Sequence, residues 1–190
     1  AGLLKVKEDE LNPEEKKFVY EGLSVFKDDK LVGYLDRTET RAYNILVGKA
    51  EGISQTVQAE NGNTITASAK KSKSKIKVKF ADGRAQAEIK VKINMTLTQQ
   101  PTLLNTDKFE IQHKIEKMFA DKFAEEFTQT VKRVQTEYSS DIFGFGNALM
   151  GSDYDQWLSI RDEWDDKYFP ETELKIDVEC KIEHSGQINR

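Results

Sequence analysis

Two hydrophobic periods meet near residue 100 of this chain. Across residues 53–98 apolar and polar side chains alternate with a period of two, and from Phe109 to Tyr138 the period lengthens to three and four. The first period builds strands with one apolar face. The second builds a helix with one apolar stripe, and each needs the other to cover it. In the first stretch Ile53–Ala59 and Thr64–Lys70 flank Asn61-Gly62-Asn63. Ile76, Val78 and Phe80 then alternate with Lys75, Lys77 and Lys79 ahead of Asp82-Gly83, and Ile89, Val91, Ile93, Met95 and Leu97 alternate with Glu88, Lys90, Lys92, Asn94 and Thr96. This is an antiparallel meander with one wet face. Pro101 ends it, and Asp107-Lys108-Phe109-Glu110 has the spacing of a capping box. The helix that follows carries Phe109, Ile115, Phe119, Phe123, Phe127, Val131, Val134 and Tyr138 on one face. About 30 residues at ~1.5 Å each make it about 45 Å long, enough to lie across the sheet.

The flanking segments complete the outline. Residues 1–17 are polar around Pro13 and read as a lead-in or linker, weakly structured or a short helix. From Phe18 to Tyr34 two strand-like runs flank the polar turn Lys27-Asp28-Asp29-Lys30. Asp36-Arg37-Thr38-Glu39 is a second capping-box spacing, and Gly48 can close the helix it starts. After Asp141 come a short helical stretch to Met150 and a helix from about Ser152 carrying Trp157 and Trp164, stopped by Pro170. Leu174–His184 alternates again and joins the same sheet. The expectation is a single α+β domain over residues 18–190: an antiparallel β-sheet with the long helix and shorter helices packed on one face.

Composition narrows the function classes. Ten Phe, six Tyr and two Trp in 190 residues are enough anchors for a core despite 33% charged residues. A net charge of −4 gives no global reason to expect nucleic acid. The single cysteine, Cys180, forms no intrachain disulfide, and no run approaches the roughly 18 to 20 apolar residues that span a bilayer. The chain opens on Ala1 rather than Met, which fits a mature product or an excised fragment.

Motifs for chemistry are sparse. Only His113 and His184 are histidines, and neither has metal-ligand spacing to another His or Cys or sits in a nucleophile elbow. Cys180 lies on the inward phase of a strand, with Glu179 and Glu183 near it to raise a thiol pKa. Gly144-Phe145-Gly146 lacks the third glycine and the preceding strand of a dinucleotide loop, and reads as a tight turn capped by Asp141 and plugged by Ile142, Phe143 and Phe145. The acids from Asp153 to Glu171 lack the alternate spacing of a calcium loop and read as a charged helix face, with the two tryptophans in the core. No catalytic, cofactor-binding or metal residue is nominated. The exception to this plainness is basic: Lys70, Lys71, Lys73, Lys75, Lys77 and Lys79 place six positive charges in ten residues, with Lys73, Lys75, Lys77 and Lys79 on one strand face and Lys90 and Lys92 able to extend it. A solvated, aggregation-resistant face and a surface for an anionic partner or membrane both remain open. No exposed aromatics interleave with the lysines, as single-stranded nucleic acid would need.

Several words of the sequence, in order, resemble the C-terminal domain of the Ger(x)C family, the C subunits of nutrient germinant receptors in endospore-forming bacteria. They are Gly22-Leu23-Ser24-Val25-Phe26 through Leu31-Val32-Gly33-Tyr34-Leu35, then Glu39-Thr40-Arg41, the Lys73-Ser74-Lys75-Ile76-Lys77 strand, Tyr138-Ser139-Ser140-Asp141-Ile142-Phe143-Gly144-Phe145-Gly146, the helix through Trp164 and the closing strand. The resemblance implies a lipoprotein at the outer face of the spore inner membrane, acylated on a cysteine outside this chain, working with membrane-embedded A and B subunits. It implies an interaction domain rather than an enzyme. A domain that binds the nutrient germinant itself is the alternative.

Overall fold

The computed structural model describes residues 2–8, 16–59, 62–99 and 109–183. Seven strands and four α-helices follow in the order β1 (Gly2–Glu8), β2 (Lys16–Lys27), β3 (Lys30–Leu35), α1 (Arg37–Leu46), β4 (Glu51–Gln58), β5 (Thr64–Ala81), β6 (Arg84–Gln99), α2 (Phe109–Arg133), α3 (Phe145–Ser152), α4 (Tyr154–Ile160) and β7 (Glu173–Ile182). The α+β class is as the periods indicate, with two differences in the sheets. The strands form two sheets, β1-β2-β3 and β4-β5-β6-β7, and β7 runs parallel to β6 while every other pair is antiparallel. Alternation reports which residues share a face but carries no strand direction. The chain between β6 and β7 crosses over through α2, α3 and α4, a connection long enough for a parallel return. The lead-in also differs: Gly2–Glu8 is a strand paired with β2, so the expected boundary near residue 17 falls inside a hairpin.

Local chemistry fixes the element ends. Asp36 accepts from the Glu39 amide at 2.8 Å while Glu39 accepts from the Asp36 amide at 2.8 Å, the reciprocal capping box at the head of α1. Lys49 N–H donates to Asn44 O across Gly48, whose φ of 72° only a glycine adopts without strain. The capping box expected at 107–110 begins outside the described residues. At its far end α2 loosens over residues 134–138, where Ser139 N–H reaches back five residues to Val134 O.

The core lies between the β4-β7 sheet and the helices. Ile115, Phe119, Phe123, Phe127 and Val131 of α2, with Val134 and Tyr138 beyond it, are buried as their spacing requires. Phe109 is not; it is 82% exposed, stacked on His113 one turn later. They meet Ile89, Val91, Ile93 and Met95 from the inner face of β6. No helix among the described residues is long and apolar enough to cross a membrane.

Candidate functional site

The lysine face depends on one extra residue in β5. Ile65, Ala67 and Ala69 point inward at odd positions, whereas Ser72, Ser74, Ile76, Val78 and Phe80 point inward at even ones. The parity changes because four steps along β5, Ser68 to Ser72, match three along β6, Thr96 to Ile93. That is a β-bulge. Lys70 and Lys71 sit in it, both exposed, and beyond it Lys73, Lys75, Lys77 and Lys79 all face outward and are exposed. The expected grouping of these four on one face is therefore the geometry found. A groove of about 920 Å³ at the bulge, lined by Lys70, Lys71, Asn94, Thr96 and Glu183 among others, continues the polar surface toward β4.

The neighbouring strands do not extend the positive charge evenly. Lys73 stands opposite Lys92, Lys75 opposite Lys90, Lys77 opposite Glu88 and Lys79 opposite Gln86. On the far side of β6, β7 sets Glu179 beside Lys92, Asp177 beside Lys90 and Lys175 beside Glu88. Lys92 Nζ lies 2.6 Å from Glu179 Oε2, and that hydrogen bond raises the Lys92 pKa and holds the Glu179 carboxyl below its ordinary range. Lys90 Nζ lies 3.4 Å from Glu88, whose pKa is lowered first by that bond, then by the charges of Lys90, Lys175 and Lys77. By contrast Lys73, Lys75, Lys77 and Lys79 have no carboxylate within ion-pair distance among the described residues. The positive charge left without a carboxylate partner on this face is carried by β5.

The two family-like words at 22–35 and 138–146 meet in space. Gly33 forms the seat for Tyr138: a Cβ there would stand 2.2 Å from the ring. Tyr138 Oη donates to Tyr34 O at 2.9 Å, and Ser140 Oγ donates to Phe26 O at 2.8 Å. Asp141 then accepts from the amides of Gly144, Phe145 and Gly146 and from the Trp164 indole at 3.0 Å. Gly146 is glycine because both tryptophans lie on it, Trp157 at 2.7 Å and Trp164 at 3.0 Å from a would-be Cβ. The expected capped aromatic turn is present, with Phe143 and Phe145 buried. Its docking onto the hairpin is not legible in the sequence, since Gly33 carries no periodic signal; a glycine inside a strand pattern is the only hint of a close approach. The middle word is also a joint. Glu39 takes Arg133 of α2 at 2.6 Å, and Arg41 donates to Glu126 at 2.6 Å and to Ser54 O at 2.8 Å.

The remaining reactive residues are placed apart. His113 is exposed on α2, 3.8 Å from Glu116, and His184 lies outside the described residues. Cys180 is buried, and desolvation pushes its thiol up to about 12. No group of three potential metal ligands occurs among the described residues. Within the acidic run Asp153 caps α4 by accepting from Gln156 N–H, and Asp165 accepts the Asp141 amide, so two of its members are structural.

Residues 21–186 match the family described as spore germination B3/GerAC like, C-terminal. The chain is 29% identical over 180 residues to spore germination protein B3 of Bacillus subtilis (strain 168), which covers 93% of this chain and 48% of that protein. It is 31% identical over 75 residues to spore germination protein KC of the same organism, covering 40% of this chain and 18% of that one. A solved structure, the crystal structure of the GerBC protein, superposes with a TM-score of 0.80 at 28% identity, over 95% of this chain and 55% of that one. The chain thus spans about half the length of the relative it matches along most of its own length. With the match running from the β2–β3 hairpin through β7, the chain belongs to the Ger(x)C family of spore germination proteins and carries its C-terminal domain.

Proposed function

We propose that this domain is a non-enzymatic docking module of a nutrient germinant receptor, working beside the A and B subunits at the outer face of the spore inner membrane, and that Lys73, Lys75, Lys77 and Lys79 turn toward anionic lipid. One observation carries the orientation: these four exposed lysines share one strand face and lack carboxylate partners among the described residues, whereas Lys90 and Lys92 beside them are taken up by Glu88 and Glu179. Each lysine near an acidic membrane surface contributes on the order of 1 kcal/mol, so four add a few orders of magnitude to the affinity of a domain tethered nearby. In the full-length protein the acylated cysteine would supply that tether.

Flotation with vesicles tests the reading. The chain co-floats with vesicles rich in anionic phospholipid and not with neutral ones, and the variant with Lys73→Glu, Lys75→Glu, Lys77→Glu and Lys79→Glu stays at the bottom. Equal behaviour of the two proteins removes the membrane face and leaves the family membership untouched.

A further inference from the structure

The free backbone edges of the strands are guarded unequally. In β3 the Tyr34 carbonyl accepts from Tyr138, in β4 the Ser54 carbonyl from Arg41, and in β5 the Val78 carbonyl from Ser152 Oγ at 3.0 Å. β5 is also protected by its own lysines, since a second β5 laid against it would bring like charges together. β7 is the last strand of its sheet. Its alternation is fixed at one end, where Glu183 N–H donates to Met95 O of β6 while Ile182 N–H turns the other way to Glu116 and Ile182 O accepts from Gln112. In a parallel ladder successive residues address opposite neighbours. Leu174, Ile176, Val178 and Cys180 therefore direct their N–H and C=O away from β6, and among the described residues nothing bonds to them. A groove of about 550 Å³ runs along this edge between β7 and Lys117, Ala120 and Asp121 of α2. It lies open beside the second half of the edge, from Asp177 to Lys181.

We propose that this edge pairs with β7 of a second copy, antiparallel about a two-fold axis through Asp177. The charges commit it to that occupant. The odd residues of β7 read Glu173, Lys175, Asp177, Glu179, Lys181. Antiparallel pairing centred on Asp177 sets Glu173 against Lys181 and Lys175 against Glu179, each twice by symmetry, so four opposite-charge contacts outweigh the one like-charge contact, Asp177 against its own copy on the axis. Ile176 then exchanges backbone bonds with Val178, and Leu174 with Cys180, which are the residues whose groups point outward. The isologous pair is closed, because it uses up the only edge it exposes on each copy's β7. Its axis stands perpendicular to the sheet, so the lysine faces of both copies open on the same side.

Sedimentation equilibrium of the whole 190-residue chain over a range of concentrations decides the matter. The expected result is a concentration-dependent species of twice the 21.7 kDa chain mass. Lys181→Glu weakens its association by tenfold or more, and adding Glu173→Lys restores it. Val178→Pro, which removes an outward N–H bonded to nothing within the described chain, abolishes association while circular dichroism stays that of a folded protein. A monomer throughout overturns the proposal, as does a dimer indifferent to both the charge variants and the proline. Should the proline variant fail to fold, the loss and restoration by the two charge variants still decides.

Discussion

One glycine and two aspartates at this domain's joints each make a separate prediction. Gly33→Ala forces a methyl into the Tyr138 ring, and overpacking of that kind costs about 1–3 kcal/mol. A lowered urea midpoint with an unchanged slope is the expected reading. Asp141→Ala strips an acceptor from three amides and an indole at once, and with hydrogen bonds to a charged group contributing about 1.5–3 kcal/mol each, a loss of at least ~3 kcal/mol is expected by the same measurement even where water takes over part of the bonding. Asp165 behaves oppositely. Burial raises its carboxyl pKa, so the folded state holds its proton more tightly than the unfolded one, and stability falls as pH climbs from the ordinary carboxylate range through the raised value. Asp165→Asn keeps an oxygen for the Asp141 amide and removes that pH-dependent cost. Its melting temperature should exceed that of the parent at pH 7, with the gain vanishing near pH 4. A gain that persists unchanged at pH 4 would contradict the burial argument.

At the scale of elements the bulge in β5 is the feature that decides which side the lysines take. Deleting Lys71 removes the extra residue and leaves Ser72 onward in register with β6, so a variant lacking Lys71 should still unfold cooperatively. Deleting Lys75 instead inverts the faces of everything on one side of the cut, and should yield insoluble protein. Paired thermal melts and soluble yields of the two deletions check this. The same strand shows what could be read in advance. Period two named the outward lysines and inward Val78 and Phe80 without any structure, and Asp36 with Glu39 announced α1, because those signals are local. The parallel direction of β7, the separate β1-β2-β3 sheet and the seating of Tyr138 on Gly33 are relations between distant segments. Neither side of such a contact marks its partner. The lysine patch was legible by position, but its selective neutralisation by Glu88 and Glu179 was not, since the register across three strands is set by the bulge and by the crossover.

For the molecule as a whole, attraction between the β5 face and an anionic surface is electrostatic and should fade with ionic strength. The Debye length shrinks from about 10 Å at 0.1 M salt to about 3 Å at 1 M. Vesicle binding measured at both should fall by at least tenfold, and a salt-independent interaction would mean that apolar contact, not charge, holds the domain to lipid. Following such events needs a reporter, and the chain carries one. Its only two tryptophans lie 5.5 Å apart, edge to face, on Gly146 beside the Asp141 cap. All indole fluorescence therefore originates at the turn that follows the long helix, so an unlabelled sample announces optically when that joint opens, and its indole emission stays silent about loosening elsewhere.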